Sequence, residues 1–293
     1  MGVTIAQGEL EQNAWRVRNL TAADREEVLE FLEQEELLNL YLIARLVEEG
    51  FGLRGQTVAI ERNGRIVCVC SLTLNLSIGI GSREPASTVQ RAIEILAELI
   101  LARAVPIRAI ISPAEAVEIL WARISHRYDP PTVIRVNQPV YALEGSPDRF
   151  PGLEFLRAAG IQDLDKLVPA CAAMHLEEVG IDPLGRDAWS YRRRIEELVE
   201  KGRTFIWSEQ GEIRFKCEIS AETPSAIQLM GVWTDPRHRG RGYARRGLSE
   251  ICGHFLRQRR RVTLFVNDFN APAVHLYESL GFVQIGRNRA LIW

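Results

Sequence analysis

The sequence predicts an α/β (α+β) chain of two domains, each a sheet flanked by helices, and three observations lead there. Its 293 residues exceed the ~100–200 of one ordinary domain, and 46% hydrophobic with 25% charged residues is a globular composition. Strand-like runs alternate with amphipathic helical ones from end to end. The order of those elements also occurs twice. Thr57-Val58-Ala59-Ile60-Glu61-Arg62-Asn63-Gly64-Arg65-Ile66 aligns without gaps on Thr204-Phe205-Ile206-Trp207-Ser208-Glu209-Gln210-Gly211-Glu212-Ile213, at an offset of 147 residues. Shared Thr, Gly and Ile at equal spacing, inside a matching succession of elements, argue for an internal duplication.

Taken in order, residues 1–14 lack periodicity and read as a tail. A short strand follows at 15–18. Thr21 is placed to cap a helical stretch, with Asp24 three residues on as an acidic variant of the capping box. Val28, Phe31, Leu32, Leu37, Leu38, Tyr41, Leu42 and Leu46 recur at helical spacing and imply two helices before residue 50. Strands at 57–61 and 66–74 meet at Asn63-Gly64, a two-residue hairpin signal. A strand at 76–80, a helix at 86–104, a strand at 107–111, a helix at 113–124 and a paired-strand tail at 132–143 complete the first half. Gly145-Ser146-Pro147-Asp148 breaks the pattern, so the expected domains are 15–145 and 146–293. The second half reads as a strand at 153–157, helices at 163–174 and 187–201, and strands at 203–208, 212–220 and 226–233. A glycine-rich loop, a helix to residue 260, a strand at 262–266, a helix at 272–280 and final strands from 282 to 293 follow.

Composition excludes several classes. No apolar run approaches the ~20 residues of a membrane span; the nearest, 92–105, is interrupted by Glu94, Glu98 and Arg103. With no signal-like start, the expected setting is cytoplasmic and away from membranes. Five cysteines form no C-x-x-C pair and fit reduced thiols, and five scattered histidines lack metal-ligand spacing, so no metal is expected. The net charge of −2 conceals an acidic first half and a basic second half, with nine arginines between Arg237 and Arg261 facing only Glu250. That density fits either a polyanion track or one compact anionic ligand. Arg257-Gln258-Arg259-Arg260-Arg261 lacks aromatic interleaving and reads as a solvated helix end, which weighs against nucleic acid.

The stretch that organises the chain runs from Gly231 to Arg246. An apolar run through Val232, Trp233 and Thr234 meets Asp235-Pro236. The loop Arg237-His238-Arg239-Gly240-Arg241-Gly242-Tyr243-Ala244-Arg245-Arg246 then opens an amphipathic helix carrying Leu248, Ile251, Cys252, Phe255 and Leu256. Such a strand–turn–helix aims backbone N–H groups and the positive helix end at one point, a cradle for a phosphate or diphosphate. It is not a P-loop, since Gly-Lys-Ser/Thr is absent. Gly231 inside an apolar strand suggests a bulge or a close backbone approach.

Two motifs in this half resemble the GNAT acyltransferase superfamily: Arg239-Gly240-Arg241-Gly242-Tyr243-Ala244 after the fourth strand, and Asn270-Ala271-Pro272-Ala273-Val274-His275-Leu276-Tyr277-Glu278-Ser279-Leu280-Gly281-Phe282 about thirty residues later. The whole chain resembles bacterial tandem-GNAT proteins with a degenerate first copy, each copy a mixed, mostly antiparallel sheet flanked by helices. The first half has Gly79, Gly81 and Ser82 but no arginine-flanked cradle, and Leu120-Trp121 where the second has Tyr277.

The resemblance implies acetyl-CoA as co-substrate and an amine as acceptor. Amides of Gly240 to Arg245 would hold the pyrophosphate; Val232 to Thr234, with Asn270, would hold the pantetheine arm. A free N–H in that stretch would also hold the thioester oxygen. Tyr277 matches the family tyrosine that protonates the departing thiolate; its other reading is a packing residue beside Val274 and Leu280. Candidate general bases are Glu218, Glu177 and Glu178, the last two also candidates for contacting the acceptor. Phe265 stands where some members carry a glutamate. The acidic first half and Glu177-Glu178 lean towards a cationic amine. The alternative to an enzyme is a non-catalytic acyl-CoA sensor.

Overall fold

The computed structural model describes residues 15–52, 55–81, 83–145 and 156–293. The expected tail 1–14, Ser82 and the start of the strand at 153–157 lie outside them. In the first half the elements are β1 (Trp15–Asn19), a 3-10 turn Ala22–Asp24, α1 (Arg25–Glu33), α2 (Glu36–Glu48), β2 (Thr57–Arg62), β3 (Arg65–Ser71), β4 (Asn75–Ile80), α3 (Ala86–Arg103), β5 (Ala109–Pro113), α4 (Ala114–Ile124) and β6 (Val133–Leu143). The second half brings β7 (Leu156–Ala158), a 3-10 turn Ile161–Asp163, α5 (Leu164–Val179), α6 (Pro183–Glu200), β8 (Thr204–Glu209), β9 (Glu212–Glu222), β10 (Ala226–Thr234), α7 (Tyr243–Arg257), β11 (Arg261–Phe265), α8 (Ala271–Ser279) and β12 (Val283–Ile292). The expected strand pairs at 132–143 and 282–293 are each one long strand.

The chain divides into two compact units, Met1–Gln138 with Gly286–Trp293, and Pro139–Ile285. The division falls seven residues before the expected break at 145, and it returns the chain's last eight residues to the first unit. There the end of β12 runs antiparallel to β5, from Asn288 opposite Pro113 to Ile292 opposite Ala109. The first unit's sheet has the order β1-β2-β3-β4-β5-β12, antiparallel except for β4–β5. Its largest core unites Val67, Cys68 and Ile78 from the strands with Ile93, Leu96, Val117 and Leu120 from α3 and α4, and with Leu291.

The second unit has the order β6-β11-β10-β9-β8-β7, antiparallel except for β10–β11. One core packs Phe215, Cys217 and Ile219 of β9 against Leu248, Ile251, Cys252 and Phe255 of α7. A second gathers Leu167 and Cys171 of α5, Ile195 and Val199 of α6, Ile206 and Ile213. Successive strand residues face opposite sides, so Lys216 and Glu218 of β9 point away from α7 towards α5.

The duplication extends to fine geometry. The Thr21–Asp24 capping box forms (Thr21 N to Asp24 Oδ2, 2.7 Å), and Gly160 N meets Asp163 Oδ2 at 2.8 Å in the second copy. The hairpin turns Asn63-Gly64 and Gln210-Gly211 have left-handed φ of 52° and 75°, and 51° and 76°, as the right-handed strand twist demands of two-residue turns. The β2–β3 register shifts between Ile60 and Glu61, and the β8–β9 register between Trp207 and Ser208, the same offset of 147.

Candidate functional site

The site is built where β10 leaves its neighbours. Parallel pairing of β10 with β11 runs from Ala226–Arg261 to Leu229–Leu264 and stops. On the other edge, pairing with β9 jumps from Met230–Glu218 to Trp233–Lys216, so Gly231 and Val232 have no partner in the register. This is the bulge expected at Gly231, whose φ of +60° suits a residue without Cβ. A Cβ there would also come within 3.1 Å of the Glu218 carboxylate and of Lys216 Nζ. Beyond the bulge Trp233 Nε1 and Thr234 Oγ1 are buried and have no hydrogen-bond partner among the described residues, although such atoms ordinarily find one.

Beneath the bulge lies a cluster of which the sequence reading named only Glu218. Lys216 is fully buried, and its Nζ donates to Glu218 Oε1 at 2.7 Å and to the Gly231 carbonyl at 3.1 Å. Cys171 Sγ of α5 donates to the same Glu218 oxygen at 3.4 Å. Burial is the largest single influence and opposes the lysine's charge, but Glu218 together with Cys171 and Cys217 outweighs it, and the ammonium holds its proton more tightly than usual. Burial pushes the Cys171 thiol up to about 12, so it stays a neutral donor. Lys216 and Glu218 stand at i and i+2 of a strand that alternates polar and apolar residues, so they share one face with Arg214 and Ser220, and that pattern was the available signal.

Asp235 ends the strand by capping the 3-10 turn Pro236–His238, accepting from Arg237 N at 2.9 Å. The loop then enters α7 through Gly242, whose φ of +80° is left-handed. The first helical turn bond runs from Arg246 N to Gly242 O, so the amides of Tyr243, Ala244 and Arg245 precede it and point outward along the helix axis. Tyr243 pins this end: its hydroxyl donates to Glu209 Oε2 at 2.9 Å, while Trp207 Nε1 donates to Glu209 Oε1 at 2.9 Å. Arg246 lies over the Trp207 ring at 4.6 Å. Of the predicted cradle arginines, Arg239 binds Glu177 Oε2 at 2.5 Å and the Thr234 carbonyl at 3.2 Å, and Arg245 binds Ser279 Oγ at 2.6 Å. Arg241 is exposed at the loop tip.

On α8, Asn270 caps the helix by accepting from Ala273 N at 3.3 Å, with Pro272 in the first turn. Tyr277, seven residues on, is buried within the α7-side core with its ring edge-on to Phe282. Its phenol makes no hydrogen bond among the described residues, and burial first, then the neighbouring Cys217 and Glu178, hold its proton well above the ordinary phenol range. Glu178 itself is exposed near the end of α5. Glu177 is committed to Arg239, and Glu218 to Lys216. His175 stacks edge-on with Tyr191 at 6.1 Å. Among the described residues no group of three His, Cys, Asp or Glu could hold a metal, and no helix is long and apolar enough to cross a membrane.

The first unit uses the equivalent space differently. Pairing of β4 with β5 covers only Asn75–Ala109 and Leu76–Ile110, but Ile78 N donates into the gap to Ser112 Oγ at 2.9 Å. Phe31 and Leu32 of α1 press on Gly81 and Gly79 closely enough that a Cβ at either would collide. Leu120 is core and Trp121 packs edge-on to Trp293.

A strand that parts from its parallel neighbour, a bulge and an amide-lined helix start are thus on one β10–α7 unit, and residues 173–282, which contain it, match the model described as the Acetyltransferase (GNAT) family. The stretch that matches the GNAT family model thus lies within the second unit. Residues 55–167 match a family described as Domain of unknown function (DUF4081). No curated protein sequence matches the chain. Among solved structures, a GNAT-family acetyltransferase from Colwellia psychrerythraea is 14% identical, with 95% of this chain and 99% of that one covered at a TM-score of 0.56. A GCN5-related N-acetyltransferase from Sphaerobacter thermophilus is 18% identical, covering 94% of each chain at 0.56. A tandem GNAT protein from the clavulanic acid biosynthesis pathway is 15% identical, covering 94% and 97% at 0.54. At these identities the likeness is one of fold, and it spans both units. The fold is that of a tandem GNAT protein, and the first unit fits a degenerate copy.

Proposed function

We propose that the second unit transfers an acetyl group from acetyl-CoA to a primary amine by direct attack, the first unit being non-catalytic. The observation that carries this reading is the opening of β10 past Leu229, which leaves strand edge unpaired shortly before the glycine entry to α7. The residues fit the co-substrate. Amides from Gly240 to Arg245 suit a diphosphate, the edge of Val232, Trp233 and Thr234 suits an amide-bearing arm, and Thr234 Oγ1 and Trp233 Nε1 supply polar atoms that want partners. Arg241 and the α7 dipole supply positive charge, while Arg239 acts as a tether from the loop to α5 and Asn270 shapes the rim. The bound thioester supplies an activated acyl group.

In the proposed reaction the acceptor nitrogen bonds to the acyl carbon as the carbon–sulfur bond breaks. The amine's proton passes to a carboxylate and Tyr277 gives its proton to sulfur. Cys171 and Cys217 are both held neutral, their thiols pushed up to about 12 by burial, which favours direct transfer over an acyl-enzyme. Glu218, whose Oε2 borders the bulge, and Glu178, exposed on α5, are the candidate bases, and Glu178 also suits a cationic acceptor. The five cysteines are all unbridged, which fits a cytoplasmic setting.

The test is release of free CoA thiol from acetyl-CoA across a panel of amines, with binding measured in parallel by calorimetry. Amine-dependent thiol release supports the enzyme. Binding without release supports a sensor, and no binding overturns both.

A further inference from the structure

We propose that Lys216 is a positioning residue that aims and polarises the Val232 N–H, making it the donor for the thioester oxygen, with Glu218 as the buried counter-ion. The inference rests on the acyl-CoA reading above and assigns a part of that site to a side chain that contacts no substrate.

The geometry runs through one peptide group. Lys216 Nζ donates to the Gly231 carbonyl at 3.1 Å from the β9 side. No peptide bond in the described chain is cis, so the Val232 N–H points opposite to the Gly231 carbonyl, away from β9. On that side β11 has already stopped pairing at Leu229. The amide therefore faces the opening instead of a ladder partner. A bulge alone leaves the orientation of its extra peptide loosely determined. A lysine gripping the carbonyl removes that freedom before any ligand arrives, and preorganised donors of this kind contribute to catalysis because nothing need reorient during the reaction.

The same contact strengthens the donor. A full positive charge on the carbonyl oxygen draws electron density through the peptide and leaves its N–H more positive, the cooperativity expected of linked hydrogen bonds. Lys216 is wholly buried and Glu218 nearly so, so the charge acts at low dielectric. Glu218 at 2.7 Å makes that burial tolerable, and Cys171 fills a further acceptor site on the same oxygen.

The test uses the full chain, acetyl-CoA carrying ¹³C at the thioester carbonyl, and two double variants that leave no buried charge unpaired, K216M/E218Q and K216Q/E218Q. Calorimetry reports whether each still binds acetyl-CoA, which doubles as the folding control. Infrared spectroscopy reports the carbonyl stretch of the bound thioester. The wild type should show that band shifted to lower frequency than in free acetyl-CoA. K216R, which keeps a cation paired with Glu218, should retain the shift. Whichever double variant folds should bind with unchanged affinity and lose the shift. A purely structural role for Lys216 would move affinity or melting temperature but not the band of molecules that do bind. If the wild type binds and the shift persists in the double variants, or never occurs, this inference falls and the acyl-CoA reading stands. If the wild type does not bind acetyl-CoA, both fall.

Discussion

Single residues separate chemistry from packing most clearly at Tyr277. The side chain belongs to the α7-side core, yet its hydroxyl is the one part with no partner among the described residues. Tyr277→Phe keeps the ring and should preserve acetyl-CoA affinity while lowering kcat about 10²-fold; equal kcat would leave the tyrosine a packing residue only. Burial raises its pKa above that of a free phenol, so kcat at saturating substrates should show no alkaline decline below pH ~10. Asp235 gives an independent check on the strand end. Hydrogen bonds from Arg237 hold its carboxyl down to about 2, against 3.8 ordinarily. A depressed folded-state pKa means stabilisation that is full above pH 3.8 and lost as pH falls through 2. Asp235→Asn should cost about 1–2 kcal/mol at pH 7, less than the full linkage value because Arg237 is exposed. The gap between the two melting temperatures should narrow as pH drops from 4 to 2.

Among the elements, α7 shows how a helix start becomes a binding feature. Gly242 holds φ +80° at the N-cap position, where a β-branched residue costs about 1–3 kcal/mol of strain. Relieving that strain turns the amides of Tyr243 to Arg245 away from their common focus. Gly242→Val should therefore abolish acetyl-CoA binding by calorimetry while the core under α7 keeps the unit folded; undiminished binding would remove the cradle from the model of the site. The following charge run behaves as a structural terminus. Arg260 is tied to Glu222 and to the Thr223 carbonyl and lies over Phe255, and Arg261 reaches Glu144. Those side chains are spent on holding the β9–β10 turn and the helix end, which leaves a polyanion track little support.

For the whole molecule, the last eight residues belong to the first unit although they follow the second in sequence. Leu291 is fully buried in the first unit's core, and Trp293 donates from Nε1 to the Asp129 carbonyl. Leu291→Ala should cost about 2–5 kcal/mol, and a chain ending at Ile285 should lose protection from hydrogen exchange in β4, β5, α3 and α4. Persistent protection there would show that the strand is dispensable. The degenerate copy thus depends on the far end of the chain for its sheet, while its own β4–β5 gap is closed by Ser112 and its glycines are covered by Phe31 and Leu32.

The sequence alone determined whatever short-range sterics and spacing control: two copies of one element order, the Asn63-Gly64 and Gln210-Gly211 turns, the cap at Asn270 with Tyr277 two turns on, the bulge at Gly231 and the glycine entry to α7. Each follows from constraints acting within about ten residues, which is why it was legible. The tertiary structure alone decided which charges are used up. Glu177 finds Arg239 across 62 positions and Cys171 finds Glu218 across 47, and no local pattern announces such pairings. Lys216 reaches the carbonyl of Gly231 because the register of β9 on β10 slips at the bulge. Register is a property of two strands packed together, so the group that grips the bulged peptide emerges only once the sheet has formed.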